Sequence, residues 1–210
     1  MKYINLIVIL LGKIRWEKIR YLISGKEYSI TTGDALRISF LLKQGNYIIL
    51  TRRKSHLSTY MTSIANLILM RRIGYYSHAC INIEPDVVDN INKIQIIESI
   101  GSGVRKSEFW DVFNCDSVVL MRPRNILGFD WEKTVEECLS DIGKQYDGSF
   151  NLDDYSKVSC VELILWALKT DPMYHIRFNK LESMIRKYRN LTPDMFYLCG
   201  DFETVLEIRK

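Results

Sequence analysis

The sequence predicts an α+β fold in which a mainly antiparallel sheet packs against helices. Short runs rich in β-branched and aromatic residues, such as YIILT at 47–51 and ETVLEI at 203–208, are typical of strands. Longer segments carry apolar residues at helical spacing. Helical segments come first, strands follow, helices return and one strand closes the chain. This order differs from the regular strand–helix alternation that predicts a parallel sheet.

The length and composition fit one domain with a complete core, since the 210 residues are 47% hydrophobic and 26% charged. The net charge of +4 is only mildly basic, and no nucleic-acid-binding motif accompanies it. The five cysteines are odd in number and include no C-x-x-C pair, so neither a zinc site nor a thioredoxin-type motif is predicted. We expect a reducing compartment, one reactive thiol and no metal or cofactor.

The first 45 residues are predicted to form a helical extension, followed by the main domain at 46–210. The apolar stretch Ile4–Leu11 is too short to span a bilayer, and basic residues follow it instead of a cleavage site. An amphipathic helix fits this segment, either packed on the domain or bound to a membrane surface or a partner. We therefore expect a protein that is cytoplasmic or peripheral at a membrane, without a signal peptide or a transmembrane span.

Thr31 or Thr32 is predicted to cap a second helix at 34–44, just before the first strand. Residues 55–72 form a predicted long helix whose broad apolar face has three open interpretations: core, acyl-chain groove or bilayer contact. Further strands are predicted at 76–83, 94–99 and 117–122, and further helices at 131–143, 159–169 and about 171–188. EFWDVF and LTPDMF are predicted to form short helical turns.

A cysteine, Cys160, opens the predicted helix at 159–169 in the run VSCVELILWAL. Helix N-termini carry partial positive charge and unpaired N–H groups, which favour the thiolate, the reactive form of a cysteine. His78 on one predicted strand is the best candidate for a base, and Glu98 on the next strand is a candidate for orienting its imidazole. From these residue types alone, structural roles for Cys160 and His78 stay open.

Several motifs in a fixed order resemble one known family. The series is YIILTR, a helix, YYSHACINIE, IIESIGSGV and LMRP, followed later by GKQYDGSF, VSCVEL and LTPDMF. Over about residues 46–208 it is similar to the circularly permuted papain-like amidases of the NlpC superfamily, in particular their YiiX/YaeF-like branch. The resemblance implies a permuted papain-like fold, in which the order along the chain is histidine, acid and cysteine.

The resemblance also implies roles for individual residues. Cys160 would be the nucleophile, His78 the base and Glu98 the orienting acid. Tyr146 in G-K-Q-Y is similar to a family tyrosine upstream of the cysteine that donates its hydroxyl to the oxyanion, and packing beside Phe150 is the alternative. Glu162 matches the glutamate of the family's C-x-E-L, and we expect it to hold a loop rather than to contact substrate.

The function that the resemblance implies is that of a cysteine hydrolase of the amidase or peptidase type, or an acyl transferase, with a thioester intermediate. The implied substrates are cell-wall peptide amides or lipid and acyl groups. The alternative is a catalytically silent binding or structural module that keeps the fold. In either case the N-terminal helix could serve as a membrane or partner anchor, and no nucleic-acid partner is expected.

Overall fold

The structure is a computed structural model, and it describes residues 29–53, 67, 74–83, 90–148, 152–188 and 191–210. The amphipathic segment predicted at the N-terminus lies outside the described residues. The helix predicted at 55–72 also lies outside them, except for Leu67. The roles suggested for these two segments therefore stay predictions.

The six described strands form one sheet. They are β1 (Ile48–Arg52), β2 (His78–Asn82), β3 (Gln95–Ile100), β4 (Gly103–Glu108), β5 (Ser117–Pro123) and β6 (Phe202–Arg209). The order across the sheet is β4-β3-β2-β1-β5-β6, and every neighbouring pair is antiparallel. This architecture confirms the predicted α+β class with an antiparallel sheet.

Strand β4 was not predicted from the sequence. Its residues, GVRKSE, lack the regular apolar alternation of a half-buried strand because β4 lies at the edge of the sheet. Charged side chains such as Arg105 and Lys106 suit an edge strand, since they discourage pairing with other chains. Gly103 takes a φ of +105° at the turn from β3, a conformation that glycine adopts without strain. The resulting register places Arg105 opposite Glu98.

The helices of the described residues surround this sheet. They are α1 (Thr32–Leu42), α2 (Phe109–Phe113), α3 (Trp131–Ser140), α4 (Cys160–Leu168), α5 (Tyr174–Arg177), α6 (Asn179–Tyr188) and α7 (Pro193–Leu198). Thr31 caps α1 in a reciprocal capping box with Asp34, which confirms one of the two predicted caps. Among the described residues, no helix combines the length and apolar character needed to cross a membrane.

Two predicted helix boundaries were wrong. Helix α3 ends at Ser140 and not at residue 143, where Gly143 has a φ of +91° that a helix does not contain. The single helix predicted at about 171–188 is two helices, because the backbone at Phe178 (φ −117°, ψ 36°) departs from helical geometry. The buried Phe178 ring stacks on Phe202 of β6, so tertiary packing accounts for this break.

Two apolar cores cover the two faces of the sheet, because alternate residues of each strand point to opposite faces. Helix α4 contributes to one core, together with Ile48 and Leu50 of β1. Helices α1 and α2 contribute to the other, together with Ile49 of β1. Helix α1, which belongs to the predicted N-terminal extension, thus shares a core with the sheet. The domain boundary predicted at residue 45 stays a prediction.

Candidate active site

Cys160 is the first residue of α4, as the sequence predicted to within a residue. Ser159 caps the helix: its hydroxyl accepts from the Glu162 N–H, and Glu162 Oε2 accepts from the Ser159 N–H at 2.7 Å. The buried Glu162 therefore holds the loop that leads into the helix. The N–H of a first helical residue has no partner within its helix, so the Cys160 amide can donate to a bound group.

His78, at the start of β2, lies between Glu98 and Cys160. Its Nε2 is 2.9 Å from Glu98 Oε2, which leaves Nδ1 as the nitrogen that can bond the Cys160 thiol. Burial by itself would lower the pKa of His78, but hydrogen bonds to Cys160 and Glu98, with the negative charge of each, raise it to about 9. The imidazole therefore stays protonated at neutral pH and lies beside the Cys160 thiol.

Glu98 is a buried carboxylate with bonds to both of its oxygens. Oε2 faces His78, whereas Oε1 accepts from Ser107 Oγ at 2.5 Å and from Arg105 at 3.0 Å. Burial would raise the pKa of Glu98, but the hydrogen bond and charge of His78, the Ser107 hydroxyl and the Arg105 charge lower it to about 2. Arg105 and Ser107 belong to β4, and no sequence pattern indicated either residue.

Hydrogen bonds to backbone carbonyls fix the loop before Cys160 to the strand that carries Glu98. The Ser99 hydroxyl donates to the carbonyl of Val158, two residues before the cysteine. The Val158 N–H donates in turn to the carbonyl of Gln145 at 2.9 Å. The loop before Cys160, the strand of Glu98 and the segment around residue 145 are therefore connected through a short series of hydrogen bonds.

Tyr146 follows Gln145 and lies beside the start of α4. Burial, then the nearby charges of Cys160, Glu162 and Asp147, raise the pKa of Tyr146 well above its usual value. Its hydroxyl therefore keeps its proton and can act as a hydrogen-bond donor near the thiol. The structure thus brings Tyr146 together with Cys160, His78 and Glu98. Phe150, the alternative packing neighbour of Tyr146, lies outside the described residues.

The other four cysteines are free, buried thiols in a different electrostatic setting. Burial raises the pKa of Cys80 and Cys138 well above the usual range. Burial also raises the pKa of Cys115 and that of Cys199 to about 12. Each of these thiols is therefore held in its unreactive protonated form, whereas Cys160 lies beside a protonated imidazole.

No protein-family model and no curated protein matches the sequence. The structure is similar to the crystal structure of the metalloprotein YiiX from Escherichia coli O157:H7, with a TM-score of 0.51. The two sequences are 16% identical, and the match covers 79% of this chain and 97% of that chain. At this identity the likeness concerns the fold alone. The chain therefore has a YiiX-like fold of mixed helices and strands around an antiparallel sheet.

Proposed function

We propose that the chain is a cysteine hydrolase acting on an amide or ester carbonyl, with the circularly permuted papain-like arrangement of the NlpC superfamily. One observation carries the proposal: the His78 imidazole is held between a buried carboxylate and a thiol at a helix N-terminus. A nucleophile, a base and a group that orients the base are the parts of such a system. The YiiX-like fold is consistent with it.

The proposed reaction begins with attack by the Cys160 thiolate on the carbonyl carbon, which forms a C–S bond and an oxyanion. The Cys160 N–H and the Tyr146 hydroxyl donate to that oxyanion. Collapse of the intermediate breaks the bond to the leaving group, which takes its proton from His78, and leaves a thioester. His78 then removes a proton from water, whose attack releases the acid and restores the thiolate.

Glu98 acts on this reaction through His78. It accepts from Nε2, which keeps Nδ1 directed at the thiol, and its negative charge stabilises the imidazolium. Ser107 and Arg105 donate to its other oxygen, so the carboxylate cannot rotate away from the imidazole without losing two donors. A transferase differs only in the last step, where another acceptor replaces water.

The metal of YiiX is a property of that protein, and the described residues of this chain do not fit one. Within the described ranges, no group of three or more His, Cys, Asp or Glu side chains could hold a metal ion. Both oxygens of Glu98 already bond His78 or β4 side chains. No step of the proposed reaction therefore passes through a metal.

The proposed substrates are cell-wall peptide amides or acyl groups of lipids, with a membrane surface as a partner of the N-terminal segment. A panel of acyl and amide activity-based probes tests the reaction class on wild type, Cys160→Ala and the control Cys199→Ala. We expect adducts and turnover in wild type and Cys199→Ala, and neither in Cys160→Ala. Wild-type protein that reacts with no probe would favour the silent binding module.

A further inference from the structure

A groove with a volume of about 440 Å³ lies between helix α1 and strand β6. All but one of its lining side chains are apolar: Leu36, Phe40, Leu41, Val205 and Leu206, with Arg37 as the exception. Two of them, Leu36 and Phe40, are 61% and 63% exposed. Leu206 belongs to the core on the sheet face that α1 covers, whereas Cys160 belongs to the core on the other face. The groove is therefore separate from the candidate active site.

Helix α1 is apolar on two sides. Its inner side, with Ala35, Ile38 and Leu42, is buried against the sheet. Its outer side carries Leu36 and Phe40, which are four residues apart and therefore neighbours on one side of the helix. A surface helix ordinarily carries polar residues on the side away from the core, whereas a helix that is apolar all round is buried. The outer side of α1 therefore has the character of a covered surface.

A bulge in β6 supplies the second apolar wall of the groove. The pairing of β6 with β5 shifts between Leu120 and Met121, and Val205 of β6 has no directly opposite residue. Because of this extra residue, Val205 and Leu206 both line the groove, although consecutive strand residues normally point to opposite faces. Bulges at sheet edges redirect side chains in this way, and β6 lies at an edge of the described sheet.

The described residues begin beside this groove. The Ile30 N–H donates to the Cys115 carbonyl at 3.2 Å, and Thr31 caps α1. Residues 1–28 precede this point and lie outside the described residues. Phe40 is only about 12 Å along α1 from its first residue, at about 1.5 Å per residue. Residues 12–28 can extend to about 55 Å, so a segment that precedes them can reach the groove.

The segment Ile4–Leu11 has the composition expected of a ligand for an apolar groove. Asn5 is its only polar residue, so removing its side chains from water is favourable. The same chain carries the segment and the groove, and a connection of this length gives an effective concentration on the order of millimolar. A separate partner must reach that concentration or bind more tightly. The chain's own segment is therefore the favoured occupant.

We propose that the apolar segment Ile4–Leu11 docks in the groove between α1 and β6 of the same chain. Docking covers the exposed side chains of Leu36 and Phe40 and buries those of the segment. A membrane surface, the partner proposed above for the N-terminal segment, would bind the same side chains, so the two contacts exclude each other. Docking is the contact expected in the absence of lipid. It does not depend on the proposed function, because the groove and Cys160 lie on opposite faces of the sheet.

Photo-crosslinking of the full-length protein without lipid tests the docking directly. Benzoylphenylalanine replaces Phe40, and in a control protein it replaces Leu127, an exposed apolar residue that is not among those lining the groove. Equal amounts of ¹⁵N-labelled and unlabelled protein are mixed and irradiated, and crosslinked peptides are identified by mass spectrometry. We expect position 40 alone to crosslink to residues 4–11, with both peptides of the same isotopic form. Peptide pairs of mixed isotopic form would indicate a second copy, and they or the lack of any crosslink to residues 4–11 would overturn the proposal.

Limited proteolysis gives a second measurement that needs no photoreactive group. Thermolysin cleaves before Leu, Ile and Val, so it can cut within residues 4–11 when the segment is undocked. We expect this cleavage to be about fivefold or more faster in Leu36→Asp than in wild type, because the rate follows the undocked fraction. Leu127→Asp is the matched control and should be cleaved at the wild-type rate. Circular dichroism confirms that each variant is folded, and equal rates in wild type and folded Leu36→Asp would contradict docking in this groove.

Discussion

His78 Nε2 lies 2.9 Å from Glu98 Oε2, between the neighbouring strands β2 and β3. The contact places a protonated imidazole against an ionised carboxylate, since the pKa of His78 is raised to about 9 and that of Glu98 is lowered to about 2. Both groups are therefore charged across the neutral pH range. Nε2 of the imidazole is held by Glu98, and Nδ1 is left to face Cys160. The proposed chemistry depends on this arrangement.

Glu98→Gln should reduce turnover far more than it reduces folding. The amide can still accept from His78, but it cannot stabilise the imidazolium or reliably fix its tautomer. We expect kcat/KM to fall by about 10² to 10⁴, in line with contributions from general acid–base catalysis. Kinetics with the best probe substrate, compared with the thermal midpoint of unfolding, check this. Unchanged kcat/KM would assign the orienting role to another residue.

Glu98→Gln should also change the pKa of His78 and the way in which the free energy of unfolding depends on pH. The pKa of His78 is raised from 6.5 to about 9 in the folded protein, so the protonated imidazole stabilises the fold. This stabilisation is fully present below pH 6.5 and is lost as the pH rises through 9. In Glu98→Gln, we expect an NMR titration to show a lower pKa for His78. The difference in unfolding free energy between wild type and variant should shrink as the pH rises from 7 to 10. An unaltered pKa of His78 would contradict the observed pairing.

Cys160 should be the first of the five thiols to react with limiting iodoacetamide near pH 7. It lies beside a protonated imidazole at a helix N-terminus, whereas burial raises the pKa of the other four thiols. Peptide mapping by mass spectrometry after brief labelling measures the order. His78→Gln should slow the labelling of Cys160 selectively. Earlier labelling of Cys199 would count against an activated Cys160.

Tyr146→Phe should lower kcat by about 10² to 10³, the usual effect of removing one oxyanion donor. Alkylation of Cys160 by iodoacetamide forms no oxyanion, so its rate should stay close to that of wild type. Tyr155→Phe is the control, because Tyr155 is exposed and packs against Trp166 farther along α4. Equal kcat values for the two variants would mean that Tyr146 only packs beside the site.

Gly103→Ala should destabilise the fold and displace the segment that carries Tyr146. An added Cβ would lie 2.3 Å from the carbonyl oxygen of Lys144, and the φ of +105° is strained for alanine. Gly128→Ala is the matched control, since Gly128 also has a positive φ but nothing within 4 Å of the added atom. Chemical denaturation should show a greater loss for Gly103→Ala than the about 1–2 kcal/mol expected for the control. Equal losses would refute the close approach.

The sequence carried enough information to locate strands that are rich in β-branched residues, such as β1 and β5, and the start of the helix at Cys160. Strand β4 was not predicted because a polar edge strand has no apolar period. For the same reason, the two β4 donors to Glu98, Arg105 and Ser107, were not predicted. The break at Phe178 arises from packing against distant Phe202. Such long-range contacts leave no local pattern in a single sequence.

Trapping of an acyl-enzyme tests the central claim most directly. Wild type, Cys160→Ala and His78→Gln are mixed with a p-nitrophenyl ester, and intact mass is followed over time together with release of nitrophenol. We predict an acyl adduct on Cys160 that forms quickly and decays in wild type, no adduct in Cys160→Ala, and slower formation and decay in His78→Gln. An adduct on another cysteine, or its persistence in Cys160→Ala, would contradict a Cys160–His78–Glu98 hydrolase.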